Sequence, residues 1–293
     1  IVDSNDYDII HCHTPMGGVL SRLASLKARK HGTKIIYTAH GFHFFKGAPM
    51  KNWLLYYPVE RFLARYTDVL ITINKEDYNR AKKFKAKKVI YVPGVGLDIS
   101  KFRDVLVDKS QKRKEIGVPD DSFVLLSVGE LNKNKNHEVI IKAVAKLDNP
   151  NIYYLICGEG SLDDYLKQII IELNIEKQVK LLGFRKDVNE IYKAADVFVF
   201  PSYREGLPFS LMEAMASGLP VICSNIRGNT DLIEDGKGGY LVEPNDVWEL
   251  SDLIMKTKSN KSAKNMGNLN LQNIENYSIE NTIKIMGKVY KRV

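Results

Sequence analysis

"DVFVFPSYREGLPFSLMEAMASGLPVICS" occupies residues 196–224. It opens with "DVFVFPS" and closes with "PVICS", two apolar runs rich in β-branched and aromatic residues and bounded by turn formers, which read as strands. Between them a turn rich in Gly and Pro leads into an apolar helical stretch from Pro208. Strand, helix and strand in that order, with strands apolar almost throughout, make the unit of a parallel sheet covered on both faces.

Pro208 suits the first turn of that helix, because the N–H it lacks would be unpaired there anyway. The amides of Phe209, Ser210 and Leu211 then lie at the carboxyl end of the preceding strand, where open parallel sheets bind ligands. The helix dipole behind them favours a diphosphate. Glu205 stands just before the helix and Glu213 about one and a half turns inside it. Carboxylates accept bidentately from vicinal hydroxyls, so the first suits hydroxyls beside a phosphate and the second a ribose diol. Their eight-residue separation is weak evidence by itself. Glu130 and Glu138 share it, and roughly one such pair is expected by accident. The turn and the helix start set Glu205 and Glu213 apart.

The same alternation extends in both directions. "YDIIHCH", "KIIYTAH", "DVLITIN" and "KVIYVPG" are four strands, with amphipathic stretches near residues 19–29, 52–66 and 75–84. After a polar, charged passage (99–121) the rhythm restarts with "SFVLLSVG", "IYYLICG" and "VKLLGF", and "GYLVEP" ends it. Helices are expected from about His137, Leu162, Val188, Pro208 and Asp246. Two such series predict an α/β protein of two Rossmann-like domains, residues 1–101 and 102–277, followed by a helix within 278–293. The first series has four strands where a nucleotide fold generally has five or six, and the chain opens on "IVDSNDYDIIHC" without Met. The expectation is an N-terminal domain that lacks its first half.

Composition narrows the class. A 293-residue chain with 44% hydrophobic and 27% charged residues fits a globular protein with two cores. No apolar run reaches the ~18 residues of a membrane span. The three cysteines, Cys12, Cys157 and Cys223, lie in separate strands and read as buried free thiols of a cytoplasmic protein. The net charge of +8 and the run "NRAKKFKAKK" admit an anionic membrane surface or an anionic small substrate. No zinc-finger spacing or aromatic RNA-binding signature accompanies the charge, so nucleic acid is not expected. Trp53, Leu54, Leu55, Tyr56, Tyr57 and Phe62 make one helix apolar nearly all round. Most of that is expected to pack in the core, and part to reach a bilayer interface beside Lys51 and residues 82–88.

His11 and His13 share one strand face, with His40 and His43 one strand later. No later set of His or Asp completes a metal site, so cleft-lining polar residues are the better reading. "DYD" at Asp6–Asp8 precedes a strand, away from the ligand end, and is taken as chance.

The residues 204–246, "REGLPFSLMEAMASGLPVICSNIRGNTDLIEDGKGGYLVEPND", resemble the donor-binding region of GT-B glycosyltransferases of family 4. So do "SVGELNKNKNHEVIIKA", "CGEGSLDDYL", "LLGFRKDVNEIYKAADVFVFPS" and "YVPGVGLDISKF", and the resemblance covers essentially the whole chain. It implies retaining, metal-independent transfer from a nucleoside-diphosphate sugar, a uridine-type donor foremost, to a saccharide or lipid-linked acceptor in capsule or exopolysaccharide synthesis. The place of work would be the cytoplasm, at the inner face of the plasma membrane. By the same resemblance Glu205 holds sugar hydroxyls, Glu213 the ribose, and Lys135 the phosphates. Phe209 and Ser210 meet the diphosphate through their amides, with Leu207 and Gly129 lining the site. The base lies against the Gly183, Phe184 and Arg185 backbone. His40 stands near the reacting sugar, His13, Gly17 and Gly18 lie on the acceptor side, and the last helix packs back on the first domain. The family commonly has Arg where this chain has Glu130, so Lys133 or Lys135 has to replace that cation. Epimerisation of a nucleotide sugar on the same fold, or binding of a nucleotide sugar by a non-catalytic remnant, are the alternatives.

Overall fold

The computed structural model describes residues 2, 5–260 and 262–293. Among these residues ten strands form two sheets: β1 (Ile9–His13), β2 (Lys34–Ala39), β3 (Val69–Thr72) and β4 (Lys88–Tyr91) in the first, β5 (Phe123–Val128), β6 (Ile152–Cys157), β7 (Val179–Gly183), β8 (Val197–Phe200), β9 (Val221–Ser224) and β10 (Gly239–Val242) in the second. All pairings are parallel. The protein is therefore α/β, with two Rossmann-like units.

The first unit comprises residues 1–96 and 279–293. Its strands run in the order β1-β2-β3-β4, so each helical crossover moves one strand further in the same direction. Alternate residues serve opposite faces. Ile35, Tyr37, Ala39 and Leu70 join Phe42, Phe44 and Phe84 in one core layer, while Ile36, Val69 and Ile71 join Val92 and Val289 in the other. The helix Ile279–Tyr290 thus covers the second face, with Ile285 and Met286 packed against it. On the first face a buried ion pair, Arg22 Nη2 to Glu60 Oε2 at 2.9 Å, ties helix Pro15–Ala24 to helix Met50–Leu63. The guanidinium stacks 4.2 Å from the Tyr37 ring centroid.

The second unit comprises residues 97–278. Its sheet order is β7-β6-β5-β8-β9-β10, the doubly wound arrangement in which the chain reverses its direction across the sheet between β5 and β8. Central strands are buried on both faces, as their unbroken apolar runs require. The three cysteines are buried and unpaired.

The structure departs from the sequence expectations in several places. The units divide at 96/97 and 278/279 rather than at 101/102 and 277/278. Leu97 donates its amide to Tyr277 O, and Phe102 packs edge-on against Tyr192, which draws residues 97–103 into the second unit. The polar passage contains a helix, Lys109–Glu115, whose Lys112 and Arg113 are buried on Asp187, Glu190 and Asp196. Residues 19–29 are two helices, Pro15–Ala24 and Leu26–Lys30, parted at Ser25, whose hydroxyl donates to Ser21 O. The apolar helix Met50–Leu63 is only half a core element. Trp53, Tyr56 and Tyr57 pack inward, but Leu54 is 73% exposed, Leu55 61% and Phe62 47%.

Candidate active site

Two loops meet at the reversal point of the second sheet. The loop after β5 runs from Gly129 to Asn136, and helix His137–Leu147 follows it. The loop after β8 runs from Pro201 to Pro208, ahead of helix Phe209–Ala216. They are stitched together: Tyr203 N donates to Asn134 O at 2.9 Å, and Asn134 Nδ2 donates to Arg204 O at 2.9 Å. Asn136 Nδ2 donates to Pro201 O and Pro244 O. Arg227 Nε donates to Glu205 O, holding the turn from its other side. Close approach also restricts residues here. A Cβ on Gly158 would stand 1.9 Å from Gly129 O, so the loops after β5 and β6 touch backbone to backbone.

Within this frame Lys135 Nζ reaches Glu205 Oε1 at 2.8 Å, and the ammonium sits 4.7 Å from the Phe200 ring centroid. Gly129 lies under the Lys135 stem, where a Cβ would meet the lysine at 3.3 Å. Lys133 is exposed, and Glu130 accepts from Asn132 Nδ2.

Pro208 is the N-cap rather than the first helical residue, with φ −78° and ψ 125°. The helix starts at Phe209, so its first amides are those of Phe209, Ser210 and Leu211, and none of them has an intrahelical acceptor. No side chain caps this end. Leu207 is buried beneath the turn and the Phe209 ring is half-exposed. Deeper in, Tyr192 Oη lies 3.0 Å from both Glu213 Oε2 and Ser210 O. Burial pushes the Glu213 pKa up, and the Tyr192 contact opposes that only in part.

At the end of β7, Gly183 takes φ +65°, a conformation that favours glycine, and presents Phe184 69% exposed. The Arg185 side chain turns away onto Asp187 (2.6 Å) and Glu115 (2.9 Å). The Arg185 hydrogen bonds, helped by Lys112, hold the Asp187 carboxyl far below the usual range. At residue 185 the backbone, not the guanidinium, is open to a ligand.

The first unit gathers a second group at the ends of β1 and β2. His13 Nδ1 and His40 Nε2 lie 3.0 Å apart, and His11 bonds Tyr290 Oη (2.7 Å) and Thr38 Oγ1 (2.8 Å). Burial, then the neighbouring His13 and His40, lowers the His11 pKa to about 4, and burial also lowers His40. Gly17 and Gly18 lie in helix Pro15–Ala24. Gly18 is buried and serves packing: a Cβ there would fall 2.5 Å from the Tyr37 ring. No group of three or more His, Cys, Asp or Glu side chains able to hold a metal occurs among the described residues.

Sequence reading named Glu205 and Lys135 separately but not their contact, and it missed Tyr192, Asn134 and Arg227. Tyr192 lies 21 residues from Glu213 in an ordinary helical pattern, with no local signal of the bond.

Two parallel α/β units, one doubly wound with a cationic side chain, a carboxylate and a helix start at its reversal point, define a GT-B glycosyltransferase fold. Residues 108–289 match the model of the glycosyl transferases group 1 family, and residues 1–99 that of glycosyltransferase family 4. The chain belongs to the glycosyl transferases group 1 family. It is 45% identical over 251 residues to the Bacillus subtilis (strain 168) protein named as glycosyltransferase EpsD, covering 84% of this chain and 66% of that protein. It is 33% identical over 270 residues to the Escherichia coli UDP-Gal:alpha-D-GlcNAc-diphosphoundecaprenol alpha-1,3-galactosyltransferase, covering 89% of this chain and 69% of that protein. The chain thus spans about two thirds of the length of these relatives. In fold it is similar to Anabaena Alr3699/HepE, solved in complex with UDP and glucose. The TM-score is 0.86 at 23% identity, over all of this chain and 80% of that one.

Proposed function

We propose that this chain carries out retaining transfer of a sugar from a nucleoside-diphosphate donor, a UDP-sugar, to a saccharide or lipid-linked saccharide acceptor in surface-polysaccharide synthesis. The work is placed at the inner face of the plasma membrane and needs no metal cofactor. The observation that carries this reading is the convergence of Lys135, Glu205 and the uncapped start of helix Phe209–Ala216 at the reversal point of the second sheet. Cation and amides together suit a diphosphate, and the carboxylate beside them suits sugar hydroxyls.

In this reading the amides of Phe209 and Ser210 and the Lys135 ammonium hold the diphosphate. Glu205 accepts from the sugar, Glu213 from the ribose, and the base lies along the backbone at Gly183, Phe184 and Arg185, with Leu207 and Gly129 lining the site. His40 stands near the reacting sugar and His13 serves the acceptor side. The glycosyl bond breaks as the acceptor hydroxyl attacks the same face, and the leaving diphosphate takes up the hydroxyl proton. Amides aimed at that developing charge supply about 3 kcal/mol each in comparable sites.

The test is a panel of nucleoside-diphosphate sugars incubated with and without undecaprenyl-linked saccharide acceptors, in the presence and absence of EDTA. Acceptor-dependent transfer from a UDP-sugar, unchanged by EDTA, is expected. Acceptor-independent conversion to an epimer, or loss on chelation with recovery on adding a divalent metal, would overturn the reading.

A further inference from the structure

Helix Met50–Leu63 carries two apolar faces. One holds Trp53, Tyr56 and Tyr57, packed on the first core through contacts such as Phe44 to Tyr57 at 5.3 Å. The other holds Met50, Leu54, Leu55, Val59 and Phe62, all exposed, with Met50 at 72% and Leu54 at 73%. Positions 50, 54, 58–59 and 62 recur at the helical period, so these side chains form a continuous stripe rather than scattered residues. A surface helix normally sets charge opposite its core face, and this one sets leucine and phenylalanine there.

The exposed charges on this helix are of one sign. Residues 50–66 contain a single carboxylate, Glu60, and it is buried on Arg22. Lys51, Arg61 and Arg65 are exposed, and the Arg65 guanidinium lies 4.1 Å from the Phe62 ring centroid. The neighbouring segment adds more. Arg80 stacks 4.5 Å from the Trp53 ring and pairs with Glu76 at 2.9 Å, and Phe84, flanked by the exposed Lys82, Lys83 and Lys85, packs on Tyr57 of the same helix. Residues 41–49 connect His40 to the helix, and His43 stacks on Tyr56 at 4.6 Å.

The geometry points to an anionic lipid surface as the occupant of this stripe, with Leu54, Leu55 and Phe62 entering the interface between headgroups and acyl chains and Lys51, Arg61, Lys82, Lys83 and Lys85 meeting the headgroups. Apolar side chains ringed by cations match such an interface in both its layers. A protein partner would need matching carboxylates around an apolar centre, and a second copy of this face would bring like charges together. No described helix is long and apolar enough to cross a membrane, so the contact is one of lying on the surface. The inference deepens the proposed function, resting on it for the lipid-linked acceptor, and its physical basis is the first unit alone.

The experiment is co-sedimentation of the whole chain with vesicles of phosphatidylcholine alone and of phosphatidylcholine mixed with phosphatidylglycerol. Sedimentation with the mixed vesicles, falling as salt rises, is expected. The double variant Leu54→Glu, Leu55→Glu should reduce the bound fraction about tenfold while its circular dichroism and UDP binding stay as in the parent. The triple variant Lys82→Glu, Lys83→Glu, Lys85→Glu should bind mixed vesicles no better than neutral ones. Equal sedimentation of parent and double variant would overturn the inference, as would no sedimentation with either vesicle. A parent dimer in analytical ultracentrifugation that the double variant abolishes would assign the stripe to a second copy instead. Vesicle binding needs neither donor nor turnover. A chain that binds vesicles but transfers no sugar therefore refutes the proposed reaction and leaves this inference standing, and the reverse result does the opposite.

Discussion

Lys135 Nζ lies 2.8 Å from Glu205 Oε1, joining the loops after β5 and β8 at the point where the second sheet reverses its direction. On the proposed reading each group occupies the partner that a donor would have to take: the lysine a phosphate, the carboxylate a sugar hydroxyl. Donor binding on this site would then exchange one ion pair for two charge-assisted contacts.

Glu205→Gln separates the two halves of that exchange. The amide releases Lys135 from its counter-ion, so UDP should bind at least as tightly as in the parent. Transfer should fall about a hundredfold or more, because the acceptor for sugar hydroxyls is weakened. Calorimetric titration with UDP and initial rates measure the two effects. Loss of UDP affinity together with activity would show that Glu205 holds the loop rather than the sugar.

Glu213 sits on Tyr192, and burial raises its pKa. Glu213→Ala should weaken nucleotide binding about tenfold while transfer at saturating donor changes less. Tyr192→Phe, which keeps the ring packed on Phe198 and Phe102, should produce a smaller loss of the same kind. Unchanged UDP affinity in Glu213→Ala would remove the ribose role.

His137 is buried with Nδ1 3.1 Å from Tyr154 Oη, and desolvation lowers its pKa from 6.5 to about 4. The unfolded chain binds this proton more readily, so stability rises with pH between about 4 and 6.5 and is lost as pH falls through that window. The full effect of this one residue is on the order of 3 kcal/mol. Urea unfolding at pH 7 and pH 5 should show the loss, and His137→Asn should flatten the dependence. An unchanged slope in that variant would assign acid lability elsewhere.

Residues 97–278 hold a complete doubly wound sheet with its own reversal point and core. Expressed alone, they should unfold cooperatively and bind UDP within a few-fold of the whole chain, without transferring sugar. An unfolded product by circular dichroism would make the second unit dependent on the first.

The central strands were legible because buried parallel strands must be apolar on both faces, and "SFVLLSV" or "DVFVF" can hardly be anything else. Helix Lys109–Glu115 was hidden for the opposite reason. Its Lys112 and Arg113 look solvent-facing, and among the partners that make their burial tolerable are carboxylates 75 and 83 residues away. Helix Ala263–Ile274, "AKNMGNLNLQNI", has asparagines and a glycine that disfavour helices locally. One of them, Asn270, is buried and donates to Leu219 O and Gly238 O, so tertiary bonds override propensity. The pairing of Lys135 with Glu205 spans 70 residues and leaves no periodic trace. Residue types at strand ends marked both as site candidates, and only the sheet order brought them together.

The ion pair and the reversal point belong to a unit that interrupts another. The polypeptide leaves the first unit at Gly96 and re-enters it at Ile279, and a Cβ on Gly96 would stand 2.8 Å from Ile279 Cα. Exit and re-entry are neighbours, so residues 97–278 form a cassette threaded into a host through a single doorway. Splicing residue 96 to residue 279 through a short bridge would leave the host its four strands and its closing helix. On the proposed reading, exchange of the cassette between relatives would recombine donor choice with acceptor choice.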